Sequence, residues 1–201
     1  MKKTIVIAIL AAAAAFAGAA FAQEKGAAPQ MSKEQQEMMA AMERMGAVLP
    51  QHKQLEYFVG DWKATSTLWM DPKAPPVKSE GKSSAKAIFG GRYIETTYDG
   101  SMMGQPFSGK GVMGHDNLAG KFVNTWMDSM STGVWISYGS YDKAQNSYTF
   151  NGKMDDPMKP GSKIDVRAVV KITDPTHYAF EWYESHGGKE NKTMQIDYVK
   201  I

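Results

Sequence analysis

The chain has 201 residues, with 23 lysines and arginines against 21 acidic side chains, and no cysteine. The missing cysteine excludes disulfides, thiolate metal sites and a thiol nucleophile. The near-even charge argues against nucleic acid as a partner, because phosphate recognition needs clustered Lys and Arg.

The opening MKKTIVIAILAAAAAFAGAAFA sets Lys2 and Lys3 before an apolar run and ends in the small residues Ala20 and Ala22. That order predicts a secretory signal peptide over residues 1–22, with cleavage after Ala22. Its apolar run, Ile5 to Phe21, is short for a membrane span and mostly alanine, so no span is expected to remain after cleavage. A periplasmic or secreted protein of Gram-negative type follows, with 21 basic and 21 acidic side chains once Lys2 and Lys3 are gone. Stability in an oxidising compartment must then come from burial alone.

Residues 23–30, QEKGAAPQ, read as a flexible lead. Residues 31–50 read as a Met-rich amphipathic helix. Ser32 and Gln35 fit a capping box, Met38, Met42 and Met45 share one face, and Gly46 and Pro50 supply the stop. A shorter helical turn follows, with Leu55 and Phe58 three apart and Gly60 ending it.

Residues 51–201 form the remaining domain, and from Asp61 the apolar period becomes two. IDVRAVVKI places Ile164, Val166, Ala168, Val170 and Ile172 on one side and Asp165, Arg167 and Lys171 on the other, which is a strand with one wet face. About ten such segments follow one another, joined by turns such as DNLAGK, DKAQN and TDPT, too short for anything but antiparallel hairpins. So many antiparallel strands must hide their edges, and the economical arrangement is an all-β, up-and-down barrel. A two-sheet sandwich is the alternative. At eight to ten strands a barrel interior is either packed or open to one small ligand. In YFVGDWKATST, Gly60 turns the chain and Trp62 stoppers one end.

Gly60-Asp61-Trp62 is similar to the G-x-W pattern that lipocalins and other calycins carry at their first strand. A longer set, HKQL from His52, GDW at Gly60, GGRYIETTYDGSMMGQPFSGKGVMGHD from Gly90 and KFVNTWMDSMSTG from Lys121, resembles the domain of unknown function 1579 family of bacterial exported proteins. The resemblance runs over about residues 52–200 and implies a lipocalin-like barrel without a known reaction; with the helix read from residues 31–50, the expected fold is such a barrel with an N-terminal helix. The T-D-Y motif and cysteines of lipocalins are absent, so their ligands do not carry over.

Strand aromatics are numerous, and two readings stand: a filled core, or a cavity for a small apolar or amphipathic molecule. Candidate cavity residues are Arg92, Tyr93, Glu95, Trp126, Asp128, Trp135, Tyr138 and Trp182. FSGKGVMG lacks phosphate-loop spacing, and Gly109 and Gly111 suit close packing in a barrel wall. His115 and Asp116 are weak metal candidates, with Asp116 equally suited to accept turn amides. Of the fifteen methionines, Met38, Met42 and Met45 offer either a Cu(I) site or a docking face for a partner protein. Haem ligation through His177 or His186 is the remaining cofactor option, but no cofactor is expected. No nucleophile sits beside a placed base, so binding is favoured over catalysis and no catalytic residue is named.

Overall fold

The structure is a computed structural model that describes residues 31–71 and 73–201; the segments read as leader and lead lie outside the described residues. The chain divides into two units, Met1–Met39 and Ala40–Ile201. In the first, the Ser32 hydroxyl accepts from the Gln35 amide at 3.2 Å and Gln35 Oε1 from the Ser32 amide at 2.9 Å, the reciprocal cap that starts helix α1 (Lys33–Gly46).

Pro50 opens a second helix, α2 (Pro50–Gln54), instead of closing the first; at the first helical position its missing N–H has no partner to lose. A 3₁₀ turn, Leu55–Phe58, continues from it. Ten strands follow: β1 Gly60–Leu68, β2 Val77–Ile88, β3 Tyr93–Met102, β4 Gln105–Asp116, β5 Lys121–Asp128, β6 Trp135–Asp142, β7 Ser147–Asp155, β8 Lys163–Asp174, β9 His177–His186 and β10 Lys189–Lys200. Each pairs antiparallel with its chain neighbour, and β1 pairs with β10, so the sheet closes as a barrel rather than a sandwich.

Register carries one facing around the whole wall. Trp62 and Ala64 on β1 are buried, and their cross-strand partners Ser83 and Gly81 share that face. Followed strand to strand, the inward set reaches Phe150 and Ala168 on β7 and β8 and returns through Phe180 and Ile196. The interior is lopsided. Strands β1, β2 and β4 contribute small side chains such as Ala64, Ser66, Ser83, Gly109 and Gly111, while β5, β6, β7 and β9 contribute rings and β8 aliphatic side chains. Gly109 and Gly111 are where the Trp126 indole lies against the wall: a Cβ on Gly111 would sit 2.7 Å from the Thr125 carbonyl and 3.0 Å from the ring.

One end is capped. Leu55 and Phe58 enter it from the 3₁₀ turn and pack with Ile94, Phe122 and Tyr148. His52, 3% exposed, pins the cap: its Nδ1 accepts from the Leu49 amide and its Nε2 donates to the His115 carbonyl, both at 3.0 Å. Trp62 is wholly buried at this end, its Nε1 donating to the Phe58 carbonyl at 2.8 Å.

The tyrosines around this cap give the fold a pH dependence. Burial, aided by Asp174, pushes the Tyr57 phenol up to about 12. Burial likewise raises Tyr148, Tyr178 and Tyr198, with neighbouring phenols adding to the shift. Unfolded tyrosines lose their protons near pH 10, so above that pH the unfolded chain releases protons that the native chain keeps. Stability is therefore full below about pH 10 and falls as pH climbs through 12. The melting temperature should drop steeply over that interval, with phenolate absorbance rising together with loss of structure rather than before it.

Candidate functional site

The end opposite the cap is the barrel mouth, where β5 ends at Asp128, β6 begins at Trp135 and β9 ends at His186. On β7 and β8 Phe150 and Ala168 are 0% exposed, yet Phe180, Trp182, Met194 and Ile196 on β9 and β10, facing the same interior, are only partly buried. Phe180 and Trp182 pack against the buried core while Met194 and Ile196 keep part of their surface uncovered, the pattern an incompletely filled lumen would give.

Three indoles stand around the upper lumen. Trp126 and Trp135 are register partners on β5 and β6, and Trp135 meets Trp182 with ring centroids 4.6 Å apart. Each of two indole N–H groups is held by an inward carboxylate: Trp126 Nε1 donates to Asp128 Oδ2 at 3.1 Å and Trp182 Nε1 to Glu184 Oε1 at 3.0 Å. Asp128 Oδ1 also accepts the Met130 amide, while Glu184 takes the Thr193 hydroxyl and faces His186 Nε2 at 3.0 Å. These bonds fix the rings with one face toward the lumen and leave two acids at the entrance.

The third indole N–H, that of Trp135, is buried without a partner among the described residues. An unpaired buried donor costs about 1–3 kcal/mol. Trp135→Phe removes the donor and keeps most of the ring, so its urea midpoint should match or exceed that of the parent, by up to about 1 kcal/mol in stability.

Register separates the eight cavity candidates of the sequence into two groups. Trp126, Asp128, Trp135 and Trp182 are gathered inside. Arg92, Tyr93, Glu95 and Tyr138 lie outside. Arg92 sits before β3 and donates to the carbonyls of Gly46 and Phe89 at 2.8 and 3.0 Å. Tyr93 covers Gly114 on the outer wall, Tyr138 is half exposed there, and Glu95 bridges Lys86 and Lys110, whose ammonium groups hold its carboxyl below the usual range. Glu184, Phe180, Met194 and Ile196 are lumen residues that the sequence reading did not name as cavity candidates. Their signal was parity, counted across each hairpin from the Ile164–Ile172 strand, but β9 carries rings on both faces, at Trp182 inside and Tyr183 outside.

The metal and haem candidates are engaged in local structure. His115 Nδ1 faces Asn117 Oδ1 at 3.2 Å, and Asp116 Oδ1 accepts the amides of Leu118 and Ala119, which lower its carboxyl. Met38, Met42 and Met45 are each about half exposed on α1. His177 shares the Asp174 carboxylate with the Thr176 hydroxyl in the exposed turn before β9, holding that acid down to about 2; the set caps a turn rather than facing the lumen. Among the described residues no group of three His, Asp or Glu side chains converges as a metal site, and no helix is long and apolar enough to cross a membrane.

The sequence model of a family described as "Protein of unknown function (DUF1579)" matches residues 48–200. Comparison with functionally curated proteins found no match. Among solved structures, Rv2717c from M. tuberculosis superposes with a TM-score of 0.55 at 12% identity, over 77% of this chain and 99% of its own. A redesigned β-barrel, b11L5F_LGL, matches at TM-score 0.39 and 15% identity over 77% and 98% of the two chains. EF1p2_mFAP2b, solved bound to DFHBI, matches at 0.40 and 10% over 75% and 99%. At 12% identity the likeness to Rv2717c concerns the fold.

Proposed function

The chain belongs to the DUF1579 family, and we infer that it is an exported binding protein that holds one small apolar or amphipathic molecule in the lumen of its barrel. The observation that carries this reading is the partial exposure of Phe180, Trp182, Met194 and Ile196 on inward faces at mid-strand. An apolar lumen with a few fixed polar groups at its entrance is the ordinary construction of a small-molecule site. The same open space weighs against the alternative of a solid barrel serving only as a mount for the Met-rich helix. Asp128 and Glu184 at the mouth repel a carboxylate head group, so long-chain amines and neutral amphiphiles are the better ligands. Export to the periplasm or the medium belongs to the same reading, and rests on the charge, apolar run and Ala20-x-Ala22 site of the first 22 residues.

Dodecylamine and dodecanoate, titrated separately while tryptophan emission is followed, test it. Saturable quenching with one equivalent of the amine is expected, and Ile196→Phe, which thrusts a ring into the lumen, should weaken it by about ten-fold. Absence of saturable quenching with either probe would sink the binding reading. The mass of the protein recovered from its native host tests export: loss of residues 1–22 is expected, and an intact N-terminus overturns it.

A further inference from the structure

A second cleft, of about 370 Å³, lies at the capped end, away from the mouth. Gln51 and Gln54 of α2 form one side, and His115, Phe122 and Tyr141 from β4, β5 and β6 form the other. The hydrogen-bond network decides what these groups still offer. Asn117 Nδ2 donates to the carbonyls of Arg44, Met45 and Ala47 at 3.1, 3.3 and 2.8 Å, so the atom it turns to His115 Nδ1 is its oxygen. An amide oxygen only accepts; Nδ1 therefore carries the proton, and Nε2 of the neutral ring is a bare acceptor. Asn146 Nδ2 donates to the Ile172 carbonyl at 3.2 Å, which points its oxygen at the Tyr141 hydroxyl, 2.7 Å away. The Tyr141 proton is thereby spent and its lone pairs remain. Gln54 uses one amide N–H on the Tyr148 hydroxyl at 2.8 Å, leaving its oxygen and its second N–H. Gln51 Oε1 is buried and has no hydrogen-bond partner among the described residues.

Together with the Ser140 hydroxyl, the residues of this cleft thus present acceptors beside the rings of Phe122 and Tyr141, with no acidic or permanently charged side chain among them. A buried, unpaired carbonyl is costly, and a ligand that donates to it recovers that cost. An ammonium group donates three times, accepts nothing, and is drawn to ring faces. We propose that the capped-end cleft is a binding site for a protonated primary amine on a short alkyl chain, either a free amine or a lysine side chain presented by a peptide. The site is separate from the lumen and does not depend on the lumen being occupied.

The experiment titrates the full-length chain with butylammonium chloride and follows the His115 imidazole signals by NMR. Saturable shifts are expected at His115, with Gln51→Leu raising Kd about ten-fold, while Asp128→Asn with Glu184→Gln leaves the His115 titration unchanged. Sodium butyrate, of similar size and opposite charge, should not move His115. An acetyl-lysine-methylamide arm, with its side-chain amine free, distinguishes the two sources: tighter binding than butylammonium assigns a peptide, weaker binding a free amine, and either supports the site. No saturable shift with either amine, equal shifts with butyrate, or an unchanged Kd in Gln51→Leu overturns it. Should Gln51→Leu unfold, the butyrate comparison on the parent protein still decides.

Discussion

Trp62→Ala is expected to cost about 3–5 kcal/mol of stability, the range for removing a wholly buried large ring. The indole lies edge-on to Tyr178 with centroids 4.7 Å apart, beside Tyr57 at 5.7 Å, and under the Lys200 ammonium at 5.2 Å. It also satisfies the Phe58 carbonyl, so truncation leaves both a void and an unpaired acceptor at the junction of cap and barrel. Trp62→Phe separates the two contributions: it fills most of the void and orphans the carbonyl, for about 1–3 kcal/mol. Urea unfolding followed by circular dichroism measures both. A loss below about 1 kcal/mol for Trp62→Ala would mean that the indole does not close the barrel. Gly60 belongs to the same device, because its φ of +123° is a conformation that side-chain-bearing residues rarely adopt, and it delivers the chain from the 3₁₀ turn into β1.

Gly139→Ala should be the most damaging single-methyl addition in the wall, at about 3 kcal/mol, the upper end of the usual overpacking range. The new Cβ overlaps the carbonyl oxygen of Thr149 on the adjacent strand and comes within 2.8 Å of the Phe150 ring. A backbone oxygen committed to a sheet cannot rotate away, so β6 and β7 must part. Gly109→Ala is the comparison. There the obstacle is the Trp126 ring, a half-buried side chain with lumen space beside it, and the expected cost is about 1–2 kcal/mol. Thermal melts of the two variants should rank in that order; equal losses would mean that the Trp126 indole is as immovable as backbone.

The wall of the barrel was legible and its facing was not, for a reason visible in particular residues. Alternation in IDVRAVVKI and the short turns after Asp116 and Asp142 dictate antiparallel neighbours, and the ten strands follow. Facing demands a consistent polarity on each strand, and several strands lack it. Tyr93 and Tyr138 are large and ring-bearing like the true lumen residues, yet they cover outer-wall positions, Tyr93 over Gly114 much as Trp126 covers Gly109 inside. A glycine opposite a ring therefore marks a covered strand, not the side on which the cover lies. Arg92, a cavity candidate by sequence, precedes β3: its backbone is helical there, φ −73° and ψ −28°, and the guanidinium serves the preceding turns. The part played by His52 had no local signal, because its partner carbonyl at His115 is brought to it only by the fold.

The seam between β1 and β10 has a consequence in time. Nine of the ten strand pairings join neighbours along the chain and can zip from local encounters, whereas Trp62 meets Lys200 only when the first and last strands are both available. Such a long-range step is slow, on the order of milliseconds to seconds. Until it happens the chain is an uncurled sheet with its ring-bearing face in water, the species on which a holding chaperone would act. The amide of Ile201, bonded to the Asp61 carbonyl at 3.0 Å, is the last stitch of that closure, and shortening the chain from this end should prolong the vulnerable interval before it alters the finished protein.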